Sequence, residues 1–448
     1  MKVLILGTDI DAFLSAITCR REGLEVVVLG CDQAEGIDTG VQIPPNGTYI
    51  LDHLDLLDAA LDKADIIESI DFRRYSDGRM IRAMPYGEEV CRAYGGAWVT
   101  IYREDFLRIL REMARSLGVS IHNAAVREVL CETAEVTLGD GERVQGDVVI
   151  GADGIDSQVR DAVIQSSRSL DTTDEDQSNT ASEVVYHATI SRKHLKAIND
   201  SRMDELWQRK SVTAWLGPEQ HAIMYPVRRD EAFNLTLYRA DPKTIQESCR
   251  GWDDRLQTIL STTTNTPSIS TPTPPPSLPS WTLHRAALFG TTARQIPPHQ
   301  AQETATTIED AAVLGTLLGL LNRHAATPHQ LRSSIPEVLR LYEDLRRPAA
   351  ERNIQSAVDS RRMFQLGNGV TQQLRDWILG GGGITRDTDG WLRVVSSRQG
   401  GVLGGGRELV GETNQVFDEW RRLRLPAASR ATGTCGIGGL RRKWYAGW

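Results

Sequence analysis

The chain opens Val3-Leu4-Ile5-Leu6-Gly7-Thr8-Asp9-Ile10-Asp11-Ala12 and, one short stretch later, reads Glu25-Val26-Val27-Val28-Leu29. Val3–Leu6 is a continuous apolar run of the kind a buried parallel strand shows. Phe13, Leu14, Ala16 and Ile17 fall at helical spacing, Gly23 ends that helix, and Glu25–Leu29 is a second apolar strand. Strand, tight turn, helix and strand make a βαβ crossover, the opening of a dinucleotide-binding fold. Further on, Val136 and Leu138 alternate with Thr137, and Gly139-Asp140-Gly141 makes a hairpin turn. A buried strand, Val148-Val149-Ile150, then ends in Gly151-Ala152-Asp153-Gly154. Asp105 to Leu117 is an amphipathic helix with Phe106, Leu107, Leu110 and Met113 on one face.

Outward from these landmarks the chain divides into units. Residues 1–75, 100–183 and 281–365 make a discontinuous Rossmann-like domain, while 76–99 and 184–261 make a β-sheet domain interleaved with it. The second is marked by Val184-Val185-Tyr186, Ala222-Ile223-Met224-Tyr225 and Phe233 to Tyr238. Residues 171–182 are polar and acidic, and 262–280 form a Ser/Thr/Pro-rich linker. Leu283 to Phe289 returns to a strand, Ala301 to Asn322 is a helix, and helical pattern runs from Pro336 to about Leu379. Residues 366–448 are a helical, Gly-rich C-terminal segment.

With 448 residues and a net charge of −8, the chain is large enough for two or three domains and is no nucleic-acid or anionic-membrane binder by charge. The six cysteines lack paired spacing, which indicates neither a disulfide framework nor a metal site. No apolar run approaches the ~18 residues of a membrane span. The expectation is a cytoplasmic enzyme, oligomeric or not, acting on a small molecule in an apolar pocket.

Several motifs occur in a telling order: residues 1–30, Gly40 to Asn46, Tyr102-Arg103-Glu104-Asp105-Phe106-Leu107, Gly151 to Ser157, Ile308 to Leu314 and Tyr342 to Gln355. Together, over residues 1 to 365, they resemble the group A flavoprotein monooxygenases of the salicylate-hydroxylase type. The resemblance implies an α/β fold of the p-hydroxybenzoate-hydroxylase kind, a Rossmann-like FAD domain interleaved with a β-sheet substrate domain. It also implies NAD(P)H-dependent aromatic hydroxylation with FAD, and Gly7, Arg103, Asp153 and Gly290 as cofactor-binding residues if FAD binds.

Position by position, the flavin contacts depart from that family. Where the family has Gly-x-Gly-x-x-Gly, this chain reads Gly7-Thr8-Asp9-Ile10-Asp11-Ala12. Asp9 places a charged side chain where backbone should meet phosphate, and an aspartate there can cap the helix instead. Two like charges ~4 Å apart at an effective dielectric of 20 repel by about 4 kcal/mol. Gly30 stands where an acidic residue would accept the adenosine ribose, with Asp32 two residues on as a substitute. Thr291 replaces the aspartate of a Gly-Asp pair, Arg294-Gln295 replaces His-Pro, and Glu303 replaces a glycine at a helix start. Three contact regions changed together predict the loss of tight FAD binding.

The substrate half retains the family's pattern in Trp215 to Pro218, His221 to Arg228 and Phe233 to Leu235. An apolar pocket with a few polar groups is a binding site in its own right. His299, Tyr225, Arg294, Gln300, Tyr186 and His187 are the candidate catalytic residues; histidine exchanges a proton near neutral pH, and Tyr or Arg stabilises a developing oxyanion. His221 reads as structural. The main expectation is thus a cofactor-free, redox-neutral enzyme of secondary metabolism performing cyclisation, isomerisation, hydrolysis or dehydration on an aromatic or polyketide-like molecule. The alternatives are an FAD- and NAD(P)H-dependent hydroxylase and a non-catalytic ligand-binding protein.

Overall fold

The computed structural model describes residues 1–31, 39–86, 88, 91–92, 95–154, 156–168, 184–239, 249–262, 268–270, 278–381 and 405–425. The polar stretch 171–182, Asp32, most of the 262–280 linker and much of the C-terminal segment lie outside them.

The apolar runs become the centre of a six-stranded sheet. Lys2–Leu6 lies between Glu25–Leu29 and Val148–Gly151 in parallel register, with Ser120–His122 beyond one neighbour and Ala286–Leu288 and Thr282–Leu283 beyond the other. Only the last pairing is antiparallel. Val3 to Leu6 have no solvent exposure, because helices cover both faces. One of them, Ile10–Arg21, is buried nearly all round from Ile10 to Cys19. Against it packs Glu303–His324, which is long and apolar enough to cross a membrane, yet 94% of its apolar window is buried inside the protein.

The second large element is a seven-stranded sheet. In order its strands are Ser268–Ser270, Val184–Ser191, Ala232–Arg239, Gln220–Val227, Ser211–Gly217, Ser69–Arg74 and Met80–Pro85. Ser69–Arg74, expected within the first domain, instead pairs in parallel with Ser211–Gly217. The strict alternation along these strands gives the sheet two faces. One carries Trp215, Met224, Phe233, Leu235 and Leu237 and packs under the helices Arg192–Ala197, Ser201–Gln208 and Asp254–Thr262. The other carries Phe72, Ile223, Tyr225, Val227 and Tyr238 and turns toward the parallel-sheet domain. A small sheet of Gly40–Ile43, Val99–Tyr102 and Asp65–Ile66 lies at the junction.

A buried ionic clamp explains why the ordered motifs recur together. Arg346, in the long helix Pro328–Phe364, meets Asp310 at 2.6 Å and Glu309 at 2.6 Å. Asp310 also meets Arg294 at 2.5 Å, and Asn46 donates to Glu309 at 2.9 Å. Four segments far apart in sequence are therefore locked by charges that water does not screen. Removing one partner of such a cluster strands the others. Arg346→Met is expected to lower stability by about 3–5 kcal/mol, read as the shift in a chemical-denaturation curve; a loss below about 1 kcal/mol would mean the clamp is not structural.

Candidate functional site

Parallel register brings the carboxyl ends of Lys2–Leu6, Glu25–Leu29 and Val148–Gly151 to one edge, where open α/β sheets bind ligands. A cleft of about 1370 Å³ opens there, lined by Gly7, Asp9, Asp11, Gly30, Arg103, Asp153 and Thr291 among others. Gly7 makes the turn that shapes it. Its φ is +115°, and a Cβ would fall 2.3 Å from the Ala152 carbonyl oxygen, so only glycine fits.

The polar groups of this edge are taken up by the protein itself. Asp9 caps the first helix, accepting the Ile10 N–H at 2.7 Å, and its second oxygen accepts from the Arg103 guanidinium. Arg103 also meets Glu104 at 3.0 Å. Asp11 is buried and accepts two hydrogen bonds at 2.7 Å, one from the Thr291 N–H and one from its hydroxyl. Its carboxylate fills the space beside Gly290, where a Cβ would come within 2.3 Å of it. Burial, with Asp9 nearby, pushes the Asp11 carboxyl up to about 6 against the pull of Thr291 and Arg294. Asp153 is likewise raised to about 6 by burial, although it keeps a hydrogen bond with Ser157. Glu303 is exposed at the start of its helix, yet the surrounding protein, with Asp11 and Asp9, pushes its carboxyl up to about 7, opposed by Arg294 and Arg103.

The inner face of the seven-stranded sheet carries a second set of groups. The Tyr225 hydroxyl donates to the Gly40 carbonyl at 2.9 Å, and the Gly40 N–H donates to Asn234 at 2.8 Å. Asn234 continues to Thr236, whose hydroxyl lies 3.3 Å from His187 Nδ1. Burial lowers His187 to about 4 and holds the Tyr225 phenol above its usual range. Farther along the same face, His221 stacks on Tyr238 at 4.6 Å between ring centres, and His299 lies 5.2 Å from both. Phe364 closes the cluster against His221 at 5.3 Å. The Tyr238 hydroxyl donates to the Pro298 carbonyl, and burial holds His221 well below its ordinary pKa.

The candidate catalytic residues therefore separate. Tyr225 and His187 share one polar chain, and His299 sits in the aromatic cluster. Tyr186 is corrected: it faces the opposite side of its strand, in the core with Met203, Leu206 and Trp207. Arg294 is corrected too, its guanidinium being held by Asp310 and the Gly290 carbonyl rather than offered to a pocket. Gln300 gives its amide to Ser356 and Ser360, at 2.7 Å to each hydroxyl, and is a tether. Tyr238 and Asn234 are residues the sequence reading left out, and His221, read there as structural, shares their face. Their signal was parity: 221, 223 and 225 share a face, as do 234, 236 and 238.

A family model for the FAD binding domain matches residues 1–357, and the chain belongs to the group A FAD-dependent monooxygenase family. It is 28% identical over 395 residues to the FAD-dependent monooxygenase OpS4 of Beauveria bassiana (strain ARSEF 2860), covering 84% of this chain and 88% of that protein. It is 26% identical over 393 residues to 3-amino-4-hydroxybenzoate 2-monooxygenase PtmB3 of Streptomyces platensis, covering 84% and 91%. Among solved structures it resembles CtdE in complex with FAD and substrate, with a TM-score of 0.72 at 20% identity over 94% of this chain and 100% of that one. A salicylate hydroxylase substrate complex matches with a TM-score of 0.65 at 18% identity, over 96% and 98%. These structures share the fold, which is the p-hydroxybenzoate-hydroxylase-like α/β architecture expected from the sequence.

FAD is the cofactor the family implies, and the relatives' names stand with the FAD-dependent alternative rather than with the expectation of no cofactor. The cleft can be tested for it directly. Its glycine turn is present, but while Asp9 and Asp11 hold their present positions the phosphate and adjoining contacts do not fit the dinucleotide.

Asp11 also yields a pH prediction. A carboxyl near 6 in the fold and 3.8 in the unfolded chain holds its proton more tightly when folded. Its ionisation therefore costs stability progressively as pH rises from about 4 to 6, and the full cost stands above that. The Asp11→Asn variant is expected to match the parent at pH 4 and to exceed it at pH 8 by on the order of 2 kcal/mol. Unfolding midpoints at the two pH values check this; an equal difference at both would show that ionisation of Asp11 is not the cause.

Proposed function

We propose that the protein is an enzyme of secondary metabolism that acts on an aromatic or polyketide-like small molecule held against the inner face of the seven-stranded sheet. The observation that carries this is the combination of a family match across residues 1–357 with an apolar inner face bearing Tyr225, His187, Asn234 and His299. The relatives' names support FAD-dependent monooxygenation of such a substrate, with NAD(P)H as the reductant, the part their names leave unsaid, and this is the first reading. Tyr225 and His187 then orient the ring through hydrogen bonds, and the apolar neighbours exclude water.

A second reading, redox-neutral acid–base chemistry without FAD, is favoured by one observation: the chain's own carboxylates hold the cofactor contacts. In that reading Glu303 moves the proton. Its carboxyl lies near 7 and is matched to transfer near neutral pH, whereas His187 and His221 are held neutral by burial and are weak bases. Tyr225 stays protonated and, on turning its hydroxyl from the Gly40 carbonyl, donates to a developing oxyanion.

The visible spectrum of the purified protein, followed by turnover assays with and without NAD(P)H, separates the two. Yellow protein with substrate-stimulated NAD(P)H oxidation establishes the first reading and ends the second. Colourless protein with turnover that ignores NAD(P)H does the reverse. In the second case Glu303→Gln is expected to lower kcat by about 100-fold and to abolish the limb of the pH profile near 7, while Tyr225→Phe lowers kcat by about tenfold. Binding of an aromatic ligand with neither activity would leave a ligand-binding protein.

A further inference from the structure

We propose that Asp9 and Asp11 are internal competitors for the phosphate contacts of the cleft: they occupy the groups that would hold the pyrophosphate end of FAD, so the dinucleotide is held weakly and removal of these carboxylates tightens it. The inference rests on family membership for the identity of the dinucleotide. It stands whether the catalysed reaction is redox or redox-neutral.

Three observations carry it. The N-terminus of a helix is a ready anion site, and here the Ile10 N–H and the Arg103 guanidinium both go to the Asp9 carboxylate. The Thr291 N–H and hydroxyl, across the cleft, both go to Asp11, whose carboxylate also fills the space beside Gly290. The lining as a whole holds six carboxylates against four guanidiniums, so a second anion enters against like charge. The backbone of a dinucleotide turn is present: Gly7 makes a +115° turn against Ala152, and the cleft holds about 1370 Å³. The contacts are thus filled rather than dismantled, and emptying them reopens the site.

The test titrates the full-length protein with FAD, followed by flavin fluorescence and absorbance, alongside riboflavin, which lacks the phosphates. Asp9→Gly frees the Ile10 N–H and Arg103 at little cost to the helix start, and Asp11→Ala frees the Thr291 N–H and hydroxyl, so the double variant loses both charges and empties the contacts. Melting curves by circular dichroism verify that it folds. FAD affinity is expected to rise at least about tenfold in the double variant, with riboflavin affinity changing by less than about threefold. An FAD affinity that is unchanged or lower in the double variant overturns the proposal, as does an equal gain for riboflavin. Parent protein that purifies with a full complement of tightly held FAD overturns it as well. Failure of the functional reading shows separately, as absence of turnover on aromatic substrates whatever the titration gives.

Discussion

The carboxylate of Asp11 ties the first helix to the turn that follows the last parallel strand, and much of the cleft depends on that contact. It requires glycine at 290, because any side chain there would overlap it. It directs the Thr291 N–H and hydroxyl inward. The charge it buries is offset in part by Arg294, which is itself fixed by Asp310 and, through Asp310, by Arg346. A chain of alternating charge runs from the cleft into the core, so the electrostatics of the site and the stability of the fold share members.

This explains how the family's motifs persist in order while its cofactor contacts change. Glu309, Asp310, Arg346 and Asn46 form a buried clamp, where losing one partner leaves an uncompensated charge in a low dielectric. Asp9, at the phosphate-facing turn, carries no such penalty. Asp9 is half exposed and replaces one helix-capping interaction with another. Recognition of the family thus came mainly from residues that hold the architecture, and the reactive surface is free to diverge around them.

What was legible in the sequence follows the same line. The βαβ unit was readable because apolar runs and helical spacing are local patterns, and Asp9 and Asp11 announced themselves as charges in a turn that should hold none. The inward face of the large sheet was not readable. Alternation says that Tyr186 and His187 face opposite ways, but which is inner depends on the helices Arg192–Ala197 and Ser201–Gln208 covering the other side. The pairing of His221 with Tyr238 needed the hairpin register, and the turn that sets it gives no signal. Arg228, Arg229 and Asp230 adopt φ of 57°, 57° and 62° without a glycine, held by Asp65, which accepts the Arg229 N–H at 2.9 Å. Arg294 and Gln300 lie in an irregular segment, where no periodicity reveals which way a side chain goes.

Burial, more than residue type, sets the acid–base character of the inner face. Histidine is the residue a sequence reading selects for proton exchange near neutrality. Here the imidazoles of His187 and His221 sit among aromatic and hydroxyl groups, and desolvation penalises their charged forms. They persist as neutral hydrogen-bonding groups. The same desolvation acts with opposite sign on carboxyls, lifting the buried Asp11 to about 6. Imidazoles and carboxyls thus answer the same desolvation in opposite directions.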